Sequence, residues 1–261
     1  MDQQTALITG ASTGIGAELA RLFAADGYRL VLVARSRDRL ESLATELSGQ
    51  HGASVRVMGK DLADPAAPGQ LYDELAAAGV RVDVLVNNAG VGLYGEFRSN
   101  DRKREMDMLQ LNVVALTLLS KLFLPGMVER RRGRILNLAS TAAFQPGPLM
   151  AVYYASKAYV LSLSQALANE LQGTGVTVTA LCPGPTRTEF ESRADLSQSR
   201  LFKLVPASDA RTVARIGYRG LMQGKPVVIP GLLNWLLAES VRFAPRRMAT
   251  AMARAVQERV G

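Results

Sequence analysis

Thr5-Ala-Leu-Ile-Thr-Gly-Ala-Ser-Thr-Gly-Ile-Gly16 is the stretch that decides the fold. An apolar strand, Thr5 to Thr9, runs into glycines at positions 10, 14 and 16, and a helix follows from about Ala17 to Ala25. Leu19, Leu22 and Phe23 give that helix one apolar face. Glycine lets a backbone turn tightly and come close to a ligand, and the N–H groups that open a helix face an anion. Strand, glycine-rich turn and helix in this order form the first unit of a dinucleotide-binding fold. The spacing Gly10-x-x-x-Gly14-x-Gly16 departs from the commoner Gly-x-Gly-x-x-Gly, so the chain downstream has to carry part of the argument.

Downstream, strands and helices keep alternating. Arg29–Ala34 is a strand and Arg39–Leu47 a helix; Ser54–Met58 is a strand, with a helix near Gln70–Ala78. Val82–Val86 precedes a long helix, Lys103–Glu129, and Arg134–Ala139 precedes a helix from Val152 to Leu171. Val176–Leu181 and Val227–Ile229 are the last strands. Nearly continuous apolar strands separated by helices imply a parallel sheet covered on both faces, a doubly wound three-layer α/β fold. Residues 1–261 read as a single Rossmann-type domain. After Pro183 the pattern loosens. Thr186–Val205 is polar and irregular, Ser208–Met222 is a short helix, and residues 186–224 are a candidate lid.

The C-terminal extension, residues 232–260, is amphipathic. Leu233, Leu236, Leu237, Ser240 and Val241 fall at helical spacing, and Pro245 breaks the run. Met248, Met252, Val256 and Val260 then continue an apolar stripe opposite Arg247, Arg254 and Arg259. Such a segment packs on its own domain or a second subunit, or lies on a membrane surface near a lipid-like substrate.

Composition narrows the class. Apolar residues make up 48% and charged residues 21% of 261, as in ordinary globular proteins. The N-terminus has no basic segment and leads straight into a strand, so no signal peptide is expected. No uninterrupted apolar run reaches the roughly 18 residues of a spanning helix, and the expected location is cytoplasmic. One cysteine, Cys182, and one histidine, His51, exclude a disulfide, a zinc cluster and a histidine-based triad; no metal site is expected. The net charge of +8 is scattered apart from Arg130-Arg-Arg132 and Arg246-Arg247, with no interleaved aromatics, so nucleic acid is not the expected partner.

The chemistry gathers between Gly133 and Lys157. Ser140 ends a buried strand, where open α/β sheets form their clefts, and Tyr153 and Lys157 lie four residues apart on one helix face. A phenol with a pKa near ~10 is a poor acid at neutral pH, and a nearby cation lowers it. A serine hydroxyl could hold a carbonyl oxygen while the phenol delivers a proton; the hydride has to come from a cofactor. Taken alone, a Tyr-x-x-x-Lys on a helix reads as an ordinary exposed pair, and the rest of the chain has to raise the functional reading. Around it, Ser12, Thr13 and Ile15 complete the glycine turn, and Asp61-Leu62 could meet an adenine edge. Asn87-Asn88-Ala89-Gly90 is a small-residue turn admitting a flat ligand, and Pro183, Gly184, Thr186 and Thr188 could cover the nicotinamide side. Asn112, inside an apolar helix, is either a satisfied core amide or the holder of a relay water. The second strand ends at Ala34 without the acid that binds a ribose 2′-hydroxyl; Arg35, helped by Arg39, could pair with a 2′-phosphate, which favours NADP(H) over NAD(H).

With Thr9-Gly-x-x-x-Gly-Ile-Gly16, Asp61-Leu62, Asn87-Asn-Ala-Gly90, Asn112, Ser140, Tyr153-x-x-Ser-Lys157 and Pro183-Gly-x-x-x-Thr188, the chain resembles the short-chain dehydrogenase/reductase family up to about Ile229. The resemblance implies a seven-stranded sheet and a catalytic tetrad of Asn112, Ser140, Tyr153 and Lys157, with Tyr153 rather than Tyr154 acting. It also implies that Lys157 bonds the nicotinamide ribose. A homodimer or homotetramer built on the helices of Asn112 and Tyr153 is implied as well. Leu32-Val-Ala-Arg35 and Gln145-Pro-Gly-Pro148 are similar to the bacterial branch related to the D-alanine-transfer operon's reductase-like protein, mostly of unassigned substrate. A fairly apolar substrate is expected from Phe144, Leu149, Met150, Phe190 and Leu201, with Arg187 or Arg193 as the only carboxylate clamp. A redox sensor without turnover and a membrane-surface reductase of a lipid-like substrate are the alternatives.

Overall fold

The computed structural model describes residues 3–194 and 207–258. Leu201, Arg259 and Val260 lie outside the described residues, as does the side chain of Arg193. Seven parallel strands form one sheet: β1 (Thr5–Thr9), β2 (Arg29–Ala34), β3 (Val55–Gly59), β4 (Val84–Asn87), β5 (Gly133–Leu138), β6 (Val176–Leu181) and, at the far edge, β9 (Val227–Val228). Their order is β3-β2-β1-β4-β5-β6-β9, so the winding reverses between β1 and β4. Register is set where both faces are buried. Ala6, Leu7 and Ile8 of β1 sit beside Val84, Leu85 and Val86 of β4, all of them fully buried.

Two helical layers cover the sheet. On one side lie α1 (Gly14–Ala25), α2 (Arg37–His51) and α8 (Ala210–Met222). Leu19, Phe23, Leu40, Leu47, Val213 and Leu221 pack from them onto Ala6, Ile8, Leu30 and Leu32. On the other side lie α3 (Ala67–Ala77), α4 (Arg102–Leu109), α5 (Leu116–Glu129) and α6 (Ala151–Glu170). There Leu71, Leu75, Leu119, Phe123 and Met127 meet Leu7, Val31, Leu85 and Ile135. Odd and even strand positions thus serve opposite layers, which is why the strands read as unbroken apolar runs.

Three expectations are corrected. Lys103–Glu129 is not one regular helix: α4 and α5 are separated by a π-helical turn, Gln110–Ala115. The cause is Asn112, whose side chain is drawn out to Val91, and a widened turn is the usual way to fit such a residue. The continuous helical run Arg102–Glu129 is long and apolar enough to cross a membrane, yet its core side chains pack on the sheet. Second, the start of the candidate lid is not irregular: β7 (Thr186–Arg187) pairs in parallel with β8 (Ser208–Asp209), and α7 (Phe190–Arg193) makes one turn between them in sequence. Asp209 caps α8 by accepting from the Thr212 N–H at 2.9 Å, so that helix starts two residues later than predicted.

Third, the C-terminal extension divides at Pro245 as expected, into α9 (Leu232–Ser240), a 3₁₀ turn and α10 (Arg246–Gln257), but buries a different stripe. The stripe that α10 buries is Ala249, Ala253 and Gln257, whereas Met248 and Met252 are exposed. Small side chains let α10 sit close against the domain, which longer methionines on that face would prevent.

At the opposite end of the sheet, buried Asp83 ties strand starts together. It accepts from the Thr5 N–H at 3.0 Å and from Arg132 Nη2 at 3.4 Å. Asp83→Ala strands the Thr5 donor and should lower the unfolding free energy by about 2 kcal/mol, read as a lower urea midpoint with unchanged slope.

Candidate active site

The site lies at the carboxyl ends of β1, β4 and β5, where the strand order reverses. A cavity of about 470 Å³ runs from the glycine turn to the C-terminal helices. One end is framed by Gly10, Ser12, Thr13, Gly14 and Ile15, with Val33, Arg35 and Asp61 beside them. Gly10 and Gly14 have φ of 64° and 57°, which side chains rarely adopt. A Cβ on Gly10 would lie 2.8 Å from Asn88 Nδ2, and one on Gly14 3.0 Å from Thr188 Cγ2. Gly16 does not face the cavity. A Cβ there would collide with the Gly10 carbonyl and Asn88, so its role is close packing of α1.

Thr13 precedes α1 without a capping side-chain bond, and the first turn carries no acid. The helix start therefore keeps free N–H groups and its positive dipole end for an anion. These features fit the pyrophosphate of a dinucleotide. Leu62, Ala89, Gly90, Pro183, Gly184, Thr186 and Thr188 also line the cavity, as expected from the sequence. Arg39 does not: its Nη1 donates to Glu189 Oε1 and Oε2 at 2.7 and 2.9 Å. Lys60, next to Asp61, lines the cavity and was missed; it is paired with Glu74 at 2.6 Å.

Toward the middle, Ser140, Tyr153 and Lys157 face the same space. Ser140 follows β5 and caps the 3₁₀ turn Thr141–Phe144, its Oγ accepting from the Ala142 N–H at 3.1 Å. Tyr153 and Lys157 project from the first turns of α6, both buried. The phenol is held well above its usual range by burial, and a hydrogen bond with Ser140 works against that. Lys157 does not bond the phenol. Its Nζ donates to the Leu138 carbonyl at 2.7 Å and stands 5.8 Å from the Tyr153 ring centre. The expected lowering of the phenol's pKa by this cation is thus absent from the causes acting on Tyr153, where burial dominates.

Asn112 does not line the cavity. Its Oδ1 accepts from Val91 N–H at 3.0 Å, and its Nδ2 donates to Val91 O at 2.9 Å and to Ser156 Oγ at 3.1 Å. Ser156 Oγ in turn donates to Tyr153 O at 2.7 Å. The amide therefore fixes the turn of α6 that carries both Tyr153 and Lys157. Cys182, fully buried behind Lys157, has its thiol pushed up to about 12 by burial and is a core residue.

The far end was less visible in the sequence. Met150 and Phe190 line it as expected, while Phe144, Leu149 and the exposed Arg187 do not. Leu149 holds φ at 68°, its carbonyl accepting from the Gly95 N–H at 2.8 Å. Leu237, Val241, Met252, Val256 and Gln257 from the C-terminal helices form the outer wall. Gln257 Nε2 donates to Tyr154 Oη at 2.6 Å, and Tyr94 Oη donates to Gln257 O at 3.0 Å. A glutamine recurring at the spacing of Ala249 and Ala253 was the available signal for this clasp. Among the described residues no three His, Cys, Asp or Glu groups cluster as a metal would need.

Residues 4–198 match the profile of the short chain dehydrogenase family. The chain belongs to that family. A very-long-chain 3-oxoacyl-CoA reductase of Pyrenophora tritici-repentis is 34% identical over 262 residues, 95% of this chain and 74% of that one. The fold is shared with a short-chain dehydrogenase from Sphingobium yanoikuyae solved with NADPH, at TM-score 0.83, 35% identity and 92% and 93% coverage of the two chains. A bulky-bulky ketone specific alcohol dehydrogenase from Comamonas testosteroni gives 0.79, 30% and 93% of each. This short-chain dehydrogenase is an oxidoreductase of the carbonyl–alcohol class using a nicotinamide dinucleotide.

Burial brings Lys157 down to about 8, so its ammonium is lost as pH rises through that value. The unfolded chain keeps this proton up to 10.5; the buried charge therefore destabilises the fold below about 8, a cost relieved as pH climbs toward 10.5. For carbonyl reduction, kcat/KM should fall on the alkaline side of about 8 in the wild type. Lys157→Met should show a low, flat profile, and a wild-type rate unchanged across that range contradicts a role for the ammonium.

Proposed function

We propose that this enzyme is an NADP(H)-dependent reductase that interconverts a carbonyl and a secondary alcohol on a fairly apolar substrate. NADPH supplies the hydride when bound. The chain supplies the proton and the geometry. Ser140 Oγ hydrogen-bonds the substrate oxygen, and Tyr153 Oη delivers the proton to it. A buried, protonated phenol is a donor across the neutral range. As negative charge develops on the substrate oxygen, the Lys157 ammonium in the same dry space stabilises it and the phenolate left behind. Lys157 would also bond the nicotinamide ribose, and Asn112 would position these groups and support return of the proton. The observation that carries this reading is that Ser140, Tyr153 and Lys157 share one cavity with the glycine turn and the bare start of α1.

Preference for NADP(H) rests on Arg35, which lines the cavity at the end of β2 where an acid would otherwise meet a ribose hydroxyl. Lys60 adds a second cation nearby. For assembly we place the contact between copies on α5 and α6, which bind each other through Thr117 Oγ1 and Tyr159 Oη at 3.0 Å and expose Tyr159, with Val114 of the π turn exposed just before α5.

Tyr153→Phe should keep NADPH binding, followed by fluorescence titration, and lose roughly 100-fold or more of ketone-dependent NADPH oxidation. Ordinary turnover in that variant sinks the assignment. Arg35→Ala should weaken NADPH about tenfold and leave NADH nearly unchanged; equal losses for both cofactors remove the 2′-phosphate role.

A further inference from the structure

Eight of the thirteen large apolar side chains exposed among the described residues fall between Leu232 and Met252. On α9 only Ala238 is buried, while Leu232, Leu233, Trp235, Leu236 and Leu237 are open to solvent. Phe243, in the turn that follows, is 89% exposed. Single exposed apolar residues are common on any protein. A run of eight over two consecutive helices calls for something that covers it.

Charge says what. Phe243 is flanked by exposed Arg242, Arg246 and Arg247. Arg242 is paired with Glu239 at 3.3 Å and Arg254 with Glu258 at 3.6 Å, whereas Arg246 and Arg247 have no ion-pair partner among the described residues. With Ala249, Ala253 and Gln257 turned inward, α10 carries Met248 and Met252 along one edge and Arg247 and Arg254 along the other. Apolar and aromatic groups beside unneutralised arginines match the boundary between lipid chains and anionic headgroups. A second copy on a twofold axis would set these arginines against their equivalents, a repulsive arrangement.

The cavity points the same way. Leu237 and Met252 line it while remaining 50% and 61% exposed, so they form its mouth, and that mouth opens inside the apolar face. A protein partner would close it; a lipid surface would extend it.

We propose that α9 and α10 seat the enzyme on an anionic phospholipid surface, with the mouth of the cavity against the lipid. Resting on the reductase reading, a carbonyl substrate with a long apolar tail then enters from the lipid without crossing water. Docking itself does not depend on that reading.

The test uses the full-length protein without cofactor or substrate, sedimented with vesicles of phosphatidylcholine, alone or mixed with phosphatidylglycerol. The wild type should pellet with the mixed vesicles and about fivefold less per contributing arginine with phosphatidylcholine alone. Leu236→Glu and Phe243→Glu should each cost about tenfold in partition coefficient. Arg246→Glu with Arg247→Glu should remove the preference for phosphatidylglycerol. None of these four residues lines the cavity, so reduction of a small water-soluble ketone should be unchanged in every variant, which also certifies the fold. A wild type that stays in the supernatant with mixed vesicles overturns the proposal, as do apolar variants that pellet as it does. Apolar variants that fall to a smaller oligomer in sedimentation velocity overturn it too, since the face then belongs to a second copy. Vesicle binding by a protein that reduces no ketone supports docking and strikes only at the reductase reading.

Discussion

Asn88 and Thr9 fasten the centre of the sheet, where the glycine turn meets the end of β4. Thr9 Oγ1 accepts from the Asn88 and Ala89 N–H groups, each at 3.0 Å, and donates to Val86 O at 3.2 Å. Asn88 Nδ2 reaches back to the carbonyls of Thr9 and Gly10 at 2.9 and 3.0 Å. Two strands distant in sequence are thereby locked at the reversal point, where a doubly wound sheet would otherwise splay. The bonds of Thr9 to Val86 O, to the Asn88 N–H and to Asn88 Nδ2 are buried, so leaving any one of these unmade costs more than its strength in water suggests. They also leave no room for a side chain at Gly10 or Gly16, which keeps the turn close enough for a phosphate.

From that lock, geometry passes outward through buried polar links. Asn112 joins Val91 to Ser156, and Ser156 joins the turn between Tyr153 and Lys157. Lys157 is anchored on the Leu138 carbonyl, one residue beyond the end-to-end pairing of β5 with β4. The ammonium is held in place by main chain, so its position does not depend on the phenol. Burial acts oppositely on the two groups, favouring a neutral phenol and a readily released lysine proton. The phenol therefore stays protonated across the neutral range, and the lysine is the group of the two whose charge changes at lower pH.

Much of this was legible beforehand, and the exceptions share a cause. The strands, the glycine turn and the Ser140, Tyr153 and Lys157 constellation could be read because each is encoded by neighbours in sequence. The π turn was not, because the bond that creates it joins Asn112 to Val91 across a loop. Arg39 looked available for a phosphate from its place one turn beyond Arg35; its partner Glu189 is 150 positions away. The C-terminal stripe misled for another reason. Hydropathy favours Met248 and Met252 over Ala249 and Ala253, while close packing selects the smaller pair.

The short parallel ladder between Thr186 and Arg187 and their partners Ser208 and Asp209 has an evolutionary consequence. It clamps both ends of a long excursion, independently of what the excursion contains. Because the entropy of closing such a loop grows only slowly with its length, insertions and deletions there cost little. Diversity can accumulate between those anchors without disturbing strand register. The same boundaries mark where a change of length would leave the scaffold intact.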